Sequence, residues 1–95
     1  MSDGNGRVSD EVRRLDLVGL LCPLPVLKSR RALAGMAEGA QLAVVASDPL
    51  AGIDIPHMCA EDGHRLIDQQ RDGKTMVFLI ERGPVQEKLP EKPAT

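Results

Sequence analysis

The chain has no tryptophan, no tyrosine and a single phenylalanine, Phe78. Stacking on single-stranded nucleic acid needs aromatic faces, so that class of function is excluded. Positive charge is not in excess either. Twelve Lys+Arg stand against 14 Asp+Glu, a formal net charge of −2, so the basic footprint that a phosphate backbone requires is missing. No direct nucleic-acid partner is expected. Nor does any stretch approach the roughly 18 consecutive apolar residues of a membrane span, and no membrane association is expected. Two cysteines, Cys22 and Cys59, are too few for a disulfide-stapled scaffold. They and the two histidines, His57 and His64, offer no paired zinc-ligand spacing. No metal or other cofactor is expected. Residues 1–11 are polar, with Asp3, Arg7, Asp10 and Glu11, and lack an apolar signal region. The expected location is cytoplasmic, with the thiols reduced.

What is present is an aliphatic domain. At 95 residues and 42% apolar content, one domain is expected, with a core of Leu, Ile, Val, Ala and Met. Pro84, Pro90 and Pro93 mark residues 84–95 as a flexible tail. Residues 1–11 read as a matching one, leaving 12–83 as the folded unit.

Within it the hydrophobic period changes repeatedly. Leu15 and Leu17 alternate with charge, as in a half-buried strand that Gly19 ends. Residues 26–37 read as a helix with Val26, Leu33, Ala34 and Ala37 on one side and Gly39 as its stop. Residues 41–46 form a short apolar run suited to a buried strand. Ser47-Asp48-Pro49 reads as a capped helix start, with Asp48 as the cap. Pro56 should kink or restart the helix that follows, and Gly63 ends it. Residues 65–71 and 75–81 flank Asp72-Gly73, a hairpin signal, and the last strand reads as largely covered on both faces. The order strand, helix, strand, helix, strand, strand predicts a two-layer α/β (α+β) sandwich, βαβαββ. Its two helices lie on one face of a four-stranded mixed sheet.

The chemistry concentrates in Cys22-Pro23-Leu24-Pro25, between the first strand and the first helix. Pro23 and Pro25 stiffen the approach, and Pro25 suits the first helical position. Cys22 then stands ahead of a helix N-terminus, a setting that lowers a thiol's pKa and favours the nucleophilic thiolate. No histidine or carboxylate is evident beside it, and an already ionised thiol needs no general base.

Residues 15–25, Leu-Asp-Leu-Val-Gly-Leu-Leu-Cys-Pro-Leu-Pro, resemble the amino-terminal signature of the TusA (SirA-like) small sulfur-carrier proteins. The resemblance continues through Asp48-Pro49, Asp54-Ile55-Pro56 and Gly63-His64. It implies a fold like the C-terminal domain of translation initiation factor three, and a persulfide carried on Cys22. It implies a sulfur donor, such as a cysteine desulfurase or a rhodanese. It also implies an acceptor protein in transfer-RNA thiolation, molybdenum-cofactor maturation or sulfur oxidation. Leu24 departs from relatives with an acidic residue between the prolines, so partner choice is not carried over.

Arg30 falls on the apolar side of its helix and should lean back toward Cys22. The resemblance adds that this position is commonly basic; Arg30 is a candidate to support a sulfur anion or dock an acidic partner, the alternative being a side chain that reaches over the core edge to water. Lys28 and Arg31 read as a solvated face. Cys59 reads as a core cysteine, and His57 and His64 as surface or cap histidines. The resemblance leaves Asp54 a structural or recognition role. The leading function is thus a carrier-type sulfurtransferase, expected to be a monomer. A non-catalytic adaptor using the same helix face is the alternative, and a Cys22–Cys59 dithiol redox protein is a third.

Overall fold

A computed structural model describes residues 12–84. The tail segments 1–11 and 85–95 lie outside the described residues. The elements run β1 (Val12–Leu17), α1 (Leu24–Ala34), β2 (Gln41–Ala46), α2 (Ala51–Asp62), β3 (Arg65–Asp72) and β4 (Thr75–Glu81). The sheet order is β1-β2-β4-β3. β1 and β2 pair in parallel, and the other pairings are antiparallel. This is the expected βαβαββ architecture, an open mixed sheet with both helices packed on one face.

Side-chain alternation explains which face that is. Leu42 pairs with Ile80, Val44 with Phe78 and Ala46 with Met76, so these side chains share one face. They join Leu17, Leu33 of α1, and Ile55, Met58 and Cys59 of α2 in a single core. Phe78 and Leu33 are fully buried; truncating either to alanine is expected to destabilise by about 2–5 kcal/mol. The opposite face is only partly covered. Val77 and Leu79 are half-buried, so β4 has one sealed face rather than the two expected.

Several local expectations are corrected. α1 spans Leu24–Ala34 instead of residues 26–37, with Pro23 as its N-cap and Gly35 as its C-cap. Pro25 therefore occupies the second helical position. Its buried residues are Pro25, Ser29 and Leu33, whereas Ala34 and Ala37 are exposed. The helix stops at Gly35 because glycine is a poor helix interior residue. Gly39, at φ 87°, instead makes the turn into β2, and its amide donates to the Arg82 carbonyl at 2.8 Å.

Asp48 does not cap α2, whose N-cap is Leu50 without a side-chain bond. Of the two outcomes expected at Pro56, α2 runs on through it rather than restarting there. Ile55, Met58 and Cys59 hold both halves onto the sheet, so packing overrides the lost amide donor. The hairpin turn is Gly73-Lys74, one position later than expected, with Asp72 paired to Thr75 and Gly73 at φ 63°.

Candidate functional site

Parallel pairing of β1 with β2 puts the carboxyl ends of both strands side by side. The loops that follow them, residues 18–23 and 47–50, must therefore meet above the sheet edge, where open α/β sheets characteristically form sites. Backbone-to-side-chain hydrogen bonds join the two loops. The Gly19 amide, at φ 92°, donates to Ser47 Oγ at 2.8 Å. The Cys22 amide donates to Asp48 Oδ2 at 2.7 Å. Asp48 Oδ1 accepts from the Leu50 amide at 3.2 Å. Asp48 is 5% exposed and thus serves as a buried clamp between the loops. The Cys22–Pro23 peptide is cis.

The Cys22 thiol is exposed. Its sulfur and the carboxylate oxygens of Asp48 and Asp54 all lie within 4.8 Å of one another. Contrary to the lowered pKa expected from the helix N-terminus, the thiol is pushed above its ordinary value. Hydrogen bonding to Asp54 is the main cause, followed by desolvation and the negative charges of Asp54 and Asp48. A carboxylate that accepts the thiol's hydrogen bond, with a second one close by, favours the neutral thiol over the thiolate. The absence of a carboxylate beside Cys22 was therefore a wrong expectation. Asp54 belongs to the first turn of α2, which the sheet brings against the Cys22 loop. Both Asp48 oxygens accept backbone amides.

A cleft of about 210 Å³ opens beside the sulfur between the helices, lined by Cys22, Pro23, Val26, Arg30, Asp54, His57, Met58 and Glu61. Arg30 reaches this cleft, but its charge is directed elsewhere. Its Nε donates to Asp62 Oδ2 at 2.6 Å, and Nη2 donates to Asp62 Oδ1 at 3.1 Å and Glu61 Oε1 at 3.3 Å. The guanidinium binds the end of α2 to α1, a contact that the helical-wheel position could not show. A larger cleft of about 310 Å³ on its other side contains no thiol and is lined by Arg30, Ala34, Glu61, Asp62, His64 and Arg82.

The other candidates fall outside this cluster, except that His57 lines the cleft. His57 is exposed and pairs with Glu61 at 3.4 Å. His64 is not a free surface histidine, because its Nδ1 accepts the Gly83 amide at 3.0 Å. Lys28 and Arg31 are exposed, as expected. Cys59 is 2% exposed, and burial pushes its thiol up to about 11. Val18, Leu21, Leu24, Leu27, Leu50 and Ile53 are all exposed. They belong to the two loops and the first turns of the two helices, so the segments that carry and flank Cys22 also expose apolar side chains.

The structure is thus a small two-layer sandwich that presents an exposed thiol on a loop between a strand and a helix. Residues 13–82 match the family described as Sulfurtransferase TusA, and the chain belongs to that family. The sulfur carrier protein TusA of Pseudomonas putida is 40% identical over 68 residues, which is 72% of this chain and 85% of that protein. The Pseudomonas aeruginosa protein of the same name is 38% identical over 68 residues, covering 72% and 86% of the two chains. In three dimensions the fold is similar to the SirA-like protein of Desulfitobacterium hafniense. The TM-score is 0.66 at 21% identity, covering 78% of this chain and all of that one.

Proposed function

We propose that this chain is a sulfur carrier of the sulfurtransferase type, taking up sulfane sulfur as a persulfide on Cys22 and passing it to an acceptor protein. One observation carries the reading: an exposed thiol sits on a shallow cleft, on segments whose apolar side chains are also exposed. A small substrate would be poorly enclosed there, whereas a protein surface could cover those side chains and present a single sulfur atom. Pro23 and Pro25 limit the movement of the loop that presents Cys22, which reduces the ordering cost on docking. The names of the Pseudomonas relatives support the same role.

The partners are then a donor protein bearing a persulfide, such as a cysteine desulfurase or rhodanese, and an acceptor. Transfer-RNA thiolation, molybdenum-cofactor maturation and sulfur oxidation are the candidate routes. A relay of free thiols requires a reducing compartment, and we place it in the cytoplasm. Among the described residues, no helix is long and apolar enough to cross a membrane.

The test is mass spectrometry after incubation with a cysteine desulfurase and cysteine. Wild type should gain one sulfur atom on Cys22, and Cys22→Ser should gain none. Equal loading of the two overturns the reading. An adaptor that only binds would instead retain its cellular function as Cys22→Ser.

A further inference from the structure

We propose that Asp54 is the proton acceptor of Cys22 when sulfur is loaded and the proton donor to it when sulfur is released. The inference rests on the reading that Cys22 carries the sulfur, and it assigns a residue to the proton that this chemistry must move. Three observations support it. A carboxylate oxygen of Asp54 lies within 4.8 Å of the sulfur. Asp48, the other nearby acid, has both oxygens committed to backbone amides. Asp54 has no such hydrogen-bond commitment among the described residues and is half-buried, open to the partner that brings the sulfur.

The remaining charged groups on the cleft do not take this role. Arg30 is held by Asp62 and Glu61, and His57 faces Glu61. With the thiol pushed toward its protonated form, attack requires an acceptor for the S–H proton, and the Asp54 carboxylate, within 4.8 Å of the sulfur, provides one.

In loading, Cys22 Sγ attacks the terminal sulfur of a donor-protein persulfide. The Sγ–H proton passes to Asp54 and a new S–S bond forms. The donor's own S–S bond breaks, its electron pair leaving on the donor cysteine, which takes a proton from solvent. Sulfane sulfur keeps its oxidation state, so neither oxidant nor reductant is consumed. Neutralising Asp54 also removes one negative charge beside the new persulfide. In release, an acceptor thiolate attacks the terminal sulfur, Cys22 Sγ departs with the bonding pair, and a proton on Asp54 returns to it.

The experiment compares two rates in wild type, Asp54→Asn and Asp54→Ala. One is alkylation of Cys22 by iodoacetamide across pH. The other is sulfur loading from a cysteine desulfurase with cysteine. Removing the carboxylate should move the alkylation midpoint to lower pH, so iodoacetamide reacts faster at pH 7. Loading should slow by about 10²-fold, the low end for a positioned proton acceptor. Added formate should restore loading in Asp54→Ala, a rescue that a purely structural aspartate would not give. Loading that stays constant or accelerates along with alkylation overturns the assignment, as does absence of formate rescue in a folded Asp54→Ala. A wild-type protein that never loads overturns the carrier reading itself, and this inference with it.

Discussion

The Cys22 amide and the Asp48 carboxylate meet at 2.7 Å across 26 positions of sequence. This bond joins the loop bearing the thiol to the loop leading into α2. The same carboxylate also accepts the Leu50 amide, so one buried side chain holds both backbones in register.

Asp48→Ala should therefore leave two amide donors without their acceptor. The expected cost is about 1–3 kcal/mol, read as a lower urea midpoint, together with slower sulfur loading as the Cys22 loop loosens. An unchanged midpoint would show that the clamp is dispensable.

Arg30 supplies a second test, because its sequence position pointed to the thiol while its guanidinium binds Asp62. The pair is partly exposed, so Arg30→Met should cost about 1 kcal/mol, roughly 4–8 °C in Tm for a domain of this size. Loading should change little. A large loading defect at unchanged Tm would restore the anion-supporting role expected from sequence.

His64 should make stability depend on pH. Burial and the nearby Arg82 charge hold its folded-state pKa below the ordinary value, and protonating Nδ1 would break its bond to the Gly83 amide. The unfolded chain takes up this proton near pH 6.5 while the folded chain resists it. Stability is thus full above that value and is lost as pH falls below it. Urea midpoints measured between about pH 8 and pH 5 should show the decline, and His64→Ala should flatten it.

Gly83→Ala probes the same junction sterically. A Cβ at this position would overlap the Gly63 carbonyl, a backbone atom that cannot swing aside. The expected cost is about 1–3 kcal/mol, measurable by thermal melting, with Cys22 alkylation unchanged in the folded protein.

Cys59 should be silent in native labelling. Its burial and raised pKa predict that iodoacetamide modifies Cys22 alone until urea unfolds the chain. Rapid native modification of Cys59 would reopen a dithiol role.

The strands and their order were legible in the sequence because alternation and glycine placement act over a few residues. β2 and β4 were read to the residue, and Cys22 stood out from its two prolines. Helix ends were less legible: Gly35 stopped α1 early, and core packing carried α2 through Pro56. Sequence alone thus determined the element order, the aliphatic core and the thiol at a strand-to-helix loop, all consequences of local spacing. Tertiary structure decided the character of that thiol. Parallel pairing of β1 and β2 brings Asp48 and Asp54 against a cysteine 26 and 32 positions away, and electrostatics at a few ångströms depends on distance in space rather than along the chain. It likewise joined Arg30 of α1 to Asp62 at the end of α2.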